Sequence, residues 1–209
     1  MNTPKIEHPV LFTIGHSDHE MAVFQSLLAR HGVTAVADVR SQPYSRFHGQ
    51  FNRELLAEAL RKVGVQYVFM GNELGARRVE RESYRGRQAR YDLIAKLPAF
   101  QEGLTRLRKG SLTHRIALMC AEKDPLTCHR TILICRHLRA SGLEIIHILE
   151  DGTAETHAEA ESRLLELAAP PGALFCPREQ LIEQAYDAQA EEIAFTESDD
   201  SAGNKEVIR

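Results

Sequence analysis

Short apolar runs alternate with longer amphipathic stretches along the first 150 residues of the chain. Each run is rich in β-branched and aromatic residues and ends at a turn signal, as buried strands do. The five runs lie at 10–14, 34–39, 65–70, 115–119 and 143–149. Most of the stretches between them carry apolar residues at helical spacing. The pattern therefore predicts five strands separated by helices.

This alternation predicts an α/β fold: a doubly wound, mostly parallel five-stranded sheet with helices on both faces and extra C-terminal helices. We expect the strand order 3-2-1-4-5. The extra helices are predicted at 158–168 and 178–195, on either side of a Pro-Pro-Gly break. We divide the chain into an α/β domain over 1–152, a helical extension over 153–195 that packs on it, and a disordered polar tail over 196–209.

Residues 71–90 interrupt the alternation. The segment has no apolar periodicity and contains six arginines, with Tyr84 among them and Tyr91 directly after it. We expect a long mobile excursion, and we expect the following helix to be broken or kinked at Pro98. Arginine contacts phosphate and tyrosine offers a stacking surface, so the segment is a candidate lid or nucleic-acid contact. Its interspersed glutamates equally fit a solvated loop of mixed charge.

Charge is divided unevenly along the chain. Residues 1–150 carry a net charge of +7 with 17 arginines and five lysines, whereas residues 151–209 carry −10. The guanidinium group suits phosphate and carboxylate, so the basic part favours an anionic partner. No apolar run approaches the ~20 residues that cross a bilayer, and the N-terminus lacks the apolar segment of a signal peptide. We therefore expect a cytoplasmic protein without membrane association, with its four cysteines kept as thiols.

Polar side chains follow the predicted strands at one edge of the sheet. Parallel α/β sheets bind ligands beyond the carboxyl ends of their strands, so this edge is the expected site. His16 and Ser17 follow the first strand, Asp38 and Arg40 end the second, Cys120 and Glu122 follow the fourth, and Ser45 and Arg46 lie in the loop after the second. We expect one pocket to gather these side chains.

The stretch from Cys120 to Arg130 contains the densest group of reactive side chains. Cys128 and His129 begin a predicted helix, where the helix dipole and the adjacent arginine lower the pKa of a thiol. In a closed pocket the pKa of Glu122 would rise, which suits a general acid or base. Both cysteines equally fit small buried packing residues, and Glu122 equally fits a salt bridge to an arginine.

The same stretch contains residue types that bind metals, namely two cysteines and a histidine, and His16 is a further candidate. Seven residues separate Cys120 from Cys128, which is not the spacing of a zinc knuckle, and no second closely spaced pair exists. We therefore predict no metal ion and no other cofactor.

Several motifs together resemble the domain-of-unknown-function 488 family (DUF488). They are Thr13-Ile-Gly-His-Ser17, Asp38-Val-Arg-Ser-Gln-Pro-Tyr-Ser45, Phe51 with Leu55, Leu74-Gly75, and Cys120-Ala-Glu with Cys128-His-Arg130. The resemblance spans roughly residues 10–150 and is specific as a combination. It implies a soluble bacterial or archaeal α/β protein and supports the choice of site residues, but it implies no particular reaction.

We interpret the chain as an enzyme, a hydrolase or transferase, that acts on a phosphate-bearing substrate such as a nucleotide or a nucleic acid. The expected catalytic residues are Glu122 as acid or base, Cys128, Cys120 and His16. The expected substrate-binding residues are Ser17, Asp38, Arg40, Ser45, Arg46, His129 and Arg130, with Arg130 and Arg40 as an anion clamp. Two alternatives remain: sulfur transfer or redox chemistry at the two cysteines, and a non-catalytic nucleic-acid-binding module that uses residues 77–90. The oligomeric state is left open.

Overall fold

The computed structural model describes residues 6–168 and 176–197. In these ranges the strands are β1 (Val10–Gly15), β2 (Ala35–Asp38), β3 (Gln66–Phe69), β4 (Tyr84–Arg85), β5 (Gln88–Ala89), β6 (Ile116–Cys120), β7 (Glu144–Ile148) and β8 (Ala154–Thr156). β4 and β5 form a separate hairpin, and the other six strands form one sheet. Five of those six are parallel, and β8 pairs antiparallel with β7 at one edge. The predicted mostly parallel α/β sheet is confirmed, with one additional short strand.

Helices cover both faces of this sheet. They are α1 (Met21–Arg30), α2 (Arg53–Lys62), α3 (Gly71–Leu74), α4 (Tyr91–Ile94), α5 (Pro98–Ser111), α6 (Arg136–Leu138), α7 (His157–Ala168) and α8 (Arg178–Ile193), with 3₁₀ turns at Gly49–Phe51, Arg81–Ser83 and Pro125–Thr127 and a π-helical segment at Arg130–Cys135 that continues into α6. α1 and α2 belong to the apolar core on one face, and α4 to α8 to the core on the other. No helix in the two described ranges combines the length and apolarity that crossing a bilayer requires.

The side chains of β6 explain why both faces are covered. Ile116, Leu118 and Cys120 belong to the core beneath α5 and α8, whereas Ala117 and Met119 belong to the core beneath α1 and α2. All five are buried. Because successive side chains of a strand point to opposite faces, a strand that is apolar throughout needs a helical layer on each side.

The strand order differs from the predicted order 3-2-1-4-5. β6, the fourth predicted strand, lies between β1 and β2, so the five predicted strands are arranged 3-2-4-1-5. β1, β2 and β6 are all fully buried, and their apolar pattern therefore does not determine which of them takes the central position. The central place of β6 puts its carboxyl end between those of β1 and β2.

Residues 71–90 contain more structure than the expected mobile excursion. They form α3, a 3₁₀ turn and the β4–β5 hairpin, and the hairpin pairs with residues after α8. Ala89 N donates to Phe195 O at 2.8 Å. The helix expected after this segment is broken at Pro98, as predicted: α4 ends at Ile94 and α5 begins at Pro98, where a proline sacrifices no helical hydrogen bond.

Two residues of the predicted disordered tail over 196–209, Thr196 and Glu197, form defined contacts with the β4–β5 region. Thr196 forms a bridge with Gln88, and Glu197 accepts a hydrogen bond from Arg81 at 2.7 Å. The rest of that predicted tail, 198–209, lies outside the described residues, and so does the Pro-Pro-Gly break at 170–172.

A buried chain of hydrogen bonds ties α7 and α8 to the sheet. Thr13 Oγ1 lies 2.8 Å from His147 Nδ1, and His147 Nε2 lies 3.0 Å from His157 Nδ1. His157 Nε2 lies 3.1 Å from the Tyr186 hydroxyl, which donates to Glu161 at 3.1 Å. The chain joins β1, β7, α7 and α8, so the C-terminal helices share polar as well as apolar contacts with the sheet.

Candidate functional site

The carboxyl ends of β1, β2 and β6 meet because β6 lies between the other two. Gly15 is in register with Cys120, and Asp38 is in register with the residue before Cys120. Beyond the strands, His16 N still donates to Cys120 O at 2.9 Å. The polar residues that follow the three strands therefore lie together at one edge of the sheet.

Gly15 allows the loop after β6 to approach β1 closely. A Cβ atom at this position would overlap the backbone carbonyl of Glu122. Only glycine fits here, and the position of the Glu122 backbone depends on it.

We expect Gly15→Ala to lower the free energy of unfolding by about 2–4 kcal/mol, because the methyl group has to displace backbone atoms. Urea denaturation measures the difference. Gly49→Ala is the matched control, since a Cβ atom there meets only the side-chain nitrogen of Asn52 at 3.9 Å. Equal stabilities of the two variants would contradict the close approach.

Asp38 and Arg40 form a buried ion pair beside the same edge. The Asp38 carboxylate accepts hydrogen bonds from Arg40 Nε at 2.9 Å, Arg40 Nη2 at 2.7 Å and the Tyr67 hydroxyl at 2.7 Å. Arg40 Nη2 also donates to Phe51 O at 2.8 Å. Asp38 is 0% exposed and Arg40 is 6% exposed. The geometry is that of a two-point arginine–carboxylate pair, which leaves little of the guanidinium free for a ligand.

His16 is buried, and both of its ring nitrogens are hydrogen-bonded. Arg40 Nη1 lies 3.2 Å from His16 Nε2, and His16 Nδ1 lies 2.9 Å from Ser17 O. Because arginine only donates, His16 accepts at Nε2 and carries its proton on Nδ1. Burial and the positive charge of Arg40 lower the pKa of His16 to about 4. Both ring nitrogens are therefore occupied by protein groups at neutral pH, which disfavours the predicted catalytic role.

Four potential donor groups face one another in the segment after β6. Cys120 Sγ, Cys128 Sγ, a ring nitrogen of His129 and a carboxylate oxygen of Glu122 all lie within 4.8 Å of one another. Cys128 Sγ lies 3.1 Å from Glu122 Oε2 and donates a hydrogen bond to it. His129 Nε2 lies 3.0 Å from Val39 O and donates to it, which leaves Nδ1 facing the thiols. We call these four residues the Cys–His cluster.

The electrostatics of the Cys–His cluster distinguish its two thiols. Burial raises the pKa of Cys120 well above its usual value. Burial acts in the same direction on Cys128, but the hydrogen bond with Cys120 and the charges of Arg130 and His129 outweigh it and hold the pKa of Cys128 well below its usual value. Burial and the adjacent Cys128 raise the pKa of Glu122. The cluster thus combines a thiol that ionises more readily than a free cysteine with a carboxyl group that holds its proton more tightly than a free glutamate.

Arg130 lies fully buried beneath the loop. Its Nη1 donates to Glu122 O at 2.7 Å, and its Nη2 donates to Lys123 O at 3.1 Å. Its backbone N–H points to Cys128 Sγ at 3.4 Å. Among the described residues its Nε has no hydrogen-bond partner and no carboxylate pairs with it. Arg130 therefore shapes the loop and compensates negative charge on Cys128, and it does not reach the ligand side as the predicted clamp required.

A cavity of about 840 Å³ opens at this edge of the sheet. The predicted site residues that line it are His16, Ser17, Arg40, Ser45, Cys120, Glu122 and His129. Asp38, Cys128 and Arg130 are buried beneath the cavity wall, and Arg46 is exposed on the loop away from it. The structure thus gathers seven of the predicted residues around one cavity.

The comparison with family models agrees with the motifs. Residues 21–136, more than half of the chain, match the family described as domain of unknown function DUF488. The chain belongs to the DUF488 family. No curated protein and no solved structure gives a significant match. The matched DUF488 region contains Arg40 and the whole Cys–His cluster, whereas His16 and α8 lie outside it.

Several lining residues of the DUF488 cavity were not among the predicted site residues. They include Ser41, Gln42, Tyr44, His48, Arg77, Tyr91, Thr127, Ile193 and Phe195. Arg77 is the most informative, because its guanidinium carbon lies 4.5 Å from the centre of the Phe195 ring and no carboxylate in the described ranges pairs with it. The arginine-rich composition of 71–90 was the available signal for Arg77. No sequence signal indicated Phe195, which is more than 100 residues away along the chain.

Proposed function

We propose that this DUF488 protein is an enzyme that binds a phosphate-bearing substrate, a nucleotide or a nucleic acid, in the cavity at the carboxyl edge of the sheet. The proposed reaction is a hydrolysis or a group transfer. One observation supports it above the others: Glu122, whose pKa is raised by burial, and Arg77, which has no carboxylate partner in the described residues, line the same cavity. A phosphate bound by Arg77 would lie in the same cavity as a group suited to proton transfer.

Arg77 takes the anion-binding role that we expected of Arg130 and Arg40. Arg130 donates to loop carbonyls, and Arg40 is neutralised by Asp38. The side chain of Arg77 lies on the Phe195 ring, which orients the guanidinium without consuming its donors. The cavity volume also falls within the range of about 300–1,000 Å³ that is typical of small-molecule sites.

Glu122 is the proposed proton-transfer group. Its carboxyl group lines the cavity, and burial together with Cys128 raises its pKa towards the range in which an acid or base is efficient at neutral pH. His16 is less suited to this role because both of its nitrogens are hydrogen-bonded to protein atoms. We also propose a cytoplasmic location, since the four cysteines are free and the Cys–His cluster requires reduced thiols.

The proposal is tested by titrating the purified protein with nucleoside monophosphates and inorganic phosphate in a calorimeter, followed by a search for turnover of nucleotides and short oligonucleotides. We expect Arg77→Ala to weaken phosphate binding about 10- to 100-fold, because a hydrogen bond to a charged group contributes about that much to an affinity. We expect Glu122→Gln to retain binding and to lower turnover about 100- to 10,000-fold.

Arg46→Ala is the matched control for Arg77→Ala, because Arg46 is exposed and does not line the cavity. It should bind phosphate as the wild type does. Equal affinities of the Arg77 and Arg46 variants would refute the assignment of the anion site, and unchanged turnover in Glu122→Gln would refute the role of Glu122.

Thiol chemistry is the second candidate, because the charges around Cys128 favour its thiolate form. Cys128 is only 1% exposed and does not line the cavity, whereas Cys120 does line it but has a raised pKa. Neither thiol is therefore both ionised and accessible. Rapid alkylation of Cys128 by iodoacetamide at pH 7 would favour sulfur-transfer or redox chemistry over the phosphate enzyme.

A non-catalytic nucleic-acid-binding module has less support. Arg78 pairs with Glu80 at 2.7 Å, Arg81 with Glu197 at 2.7 Å and Arg90 with Glu191 at 3.1 Å. These arginines of the 77–90 segment are partly neutralised by neighbouring carboxylates, which weakens their attraction for a phosphate backbone. An affinity for DNA or RNA that falls steeply with salt would restore this alternative.

A further inference from the structure

The Cys–His cluster has the composition and spacing of a metal site. Zinc bound by thiolate at about 2.3 Å and by imidazole nitrogen at about 2.05 Å places a sulfur and a nitrogen about 3.6 Å apart in tetrahedral geometry. His129 Nδ1 lies 3.7 Å from Cys120 Sγ and 3.9 Å from Cys128 Sγ. The two sulfurs lie within 4.8 Å of each other, so a contraction of the cluster would form three corners of a tetrahedron.

His129 is oriented as a ligand. Its Nε2 donates to the backbone oxygen of Val39 at 3.0 Å, so Nδ1 faces the two sulfurs and would present its lone pair to an ion once its proton is displaced. Histidine ligands of metals commonly donate their second ring N–H to a carbonyl or carboxylate in this way, which fixes the tautomer that binds the ion. Hydrogen bonding to protein thus preforms one ligand.

The fold brings the three donors together despite their spacing along the chain. Cys120 ends β6, while Cys128 and His129 directly precede the π-helical segment Arg130–Cys135. A 3₁₀ turn at Pro125–Thr127 folds the intervening loop back towards the strand end. π-helical segments are rare and occur often at functional sites, where they reposition side chains.

The buried positive charge of Arg130 also favours an anionic cluster beside it. Its guanidinium is fully buried and has only backbone carbonyls as hydrogen-bond acceptors within the described residues. A buried cation of this kind needs a nearby anion. Two thiolates and the Glu122 carboxylate would supply three negative charges, which a divalent ion and Arg130 together offset.

We propose that Cys120, Cys128 and His129 bind one zinc ion, with the fourth coordination position directed to the cavity beside Glu122. Thiolate and imidazole donors in tetrahedral geometry favour zinc among the common divalent ions. Cys120, Glu122 and His129 line the cavity, so the fourth position is open to a water or a substrate. Glu122 Oε2, 3.1 Å from Cys128 Sγ, is then placed to accept a proton from a zinc-bound water. The metal site goes beyond the proposed phosphate chemistry and does not depend on it.

The test measures metal in the full-length protein without any substrate. Protein prepared with excess Zn²⁺ and then dialysed against metal-free buffer is expected to retain one zinc per chain by mass spectrometry. Replacement by Co²⁺ should produce sulfur-to-cobalt charge-transfer absorption, which reports thiolate ligation directly. We expect each ligand variant to weaken zinc binding at least about 100-fold: Cys120→Ser, Cys128→Ser and His129→Asn. Loss of a residue that only hydrogen-bonds to a metal ligand already costs about 10- to 100-fold in affinity.

Two matched variants control the assignment. Cys135→Ala removes an equally buried thiol outside the cluster and should retain the metal. Glu122→Gln should also retain one zinc per chain, because Glu122 stands beside the fourth position and is not one of the three ligands. Loss of zinc in Glu122→Gln would overturn this arrangement.

The zinc content and the Co²⁺ spectrum of the wild-type protein test the site even if the ligand variants fold poorly. Less than one tenth of a zinc per chain after loading, or no charge-transfer band with Co²⁺, would overturn the site. A metal-loaded protein that binds no phosphate would instead refute only the function proposed above.

Discussion

Asp38→Ala is expected to lower the free energy of unfolding by about 3–5 kcal/mol, the cost of leaving one partner of a buried ion pair alone. The substitution removes the acceptor of hydrogen bonds from Arg40 N, Nε and Nη2 and from the Tyr67 hydroxyl. The guanidinium of Arg40 would remain buried with Phe51 O and His16 as its acceptors, and neither carries a negative charge. Urea denaturation at pH 7.5 measures the loss.

The exposed pair between Lys62 and Glu58 provides the control. Its side chains are 63% and 54% exposed, so Glu58→Ala should change the stability by less than about 1 kcal/mol. Asp38→Asn keeps a hydrogen-bond acceptor and removes the charge, so its loss of stability should lie between those of Asp38→Ala and Glu58→Ala. A stability of Asp38→Ala equal to that of Glu58→Ala would show that Arg40 finds another partner or becomes hydrated.

The second large effect is a loss of stability in mild acid. Burial lowers the pKa of His157 to about 4 and holds the pKa of His147 well below its usual value. In the unfolded chain both histidines titrate near 6.5, so between pH 6.5 and about 4 the unfolded chain binds protons that the folded protein does not. Stability from these histidines is therefore complete above pH 6.5 and falls as the pH drops, with His157 alone accounting for about 3 kcal/mol at pH 4.

The groups around this pair explain why it stays neutral. His147 contacts Thr13 and His157, and His157 contacts Tyr186 and lies 3.6 Å from Glu161. The negative charge of Glu161 is already matched by Arg139 at 2.8 Å, and the charge of Arg139 itself lowers the pKa of His157. A proton on either ring would therefore lack a free counter-charge.

Stability measured by urea denaturation between pH 7.5 and 4.5 checks this prediction. His157→Gln should reduce the acid-dependent loss, although its stability at pH 7.5 is lower. Thr13→Val removes a hydrogen-bond partner without removing a titrating group, so its curve should lie lower while keeping the pH dependence of the wild type. The same pH dependence in His157→Gln and Thr13→Val would contradict the role of His157.

The elements of the sheet could be predicted closely from the sequence. The apolar runs at 10–14 and 115–119 correspond to β1 and β6, and the helix expected at 158–168 corresponds to α7. These predictions succeed because alternation and helical spacing reflect which side chains one element buries, and that is a local property. The meeting of the polar residues after β1, β2 and β6 at one edge could also be predicted, because it depends only on strand direction and chain order.

The assignment of roles within the site was less predictable. Arg130 carries the same formal charge as Arg77, yet it is buried under the loop while Arg77 lines the cavity. Composition places both in a basic region and does not indicate which guanidinium lines the cavity. The backbone carbonyls of Glu122 and Lys123 decide it, because they satisfy the donors of Arg130.

The sequence by itself therefore determined the α/β class, the family and the residues after β1, β2 and β6 as the candidate chemistry. Only the tertiary structure decided that β6 lies between β1 and β2, since three fully buried strands have equivalent apolar patterns. It also decided that Cys120 meets Cys128 and His129, which depends on a 3₁₀ turn and a π-helical segment rather than on a spacing motif. Both outcomes arise from packing between segments far apart in sequence, and residue patterns within one segment do not encode such contacts.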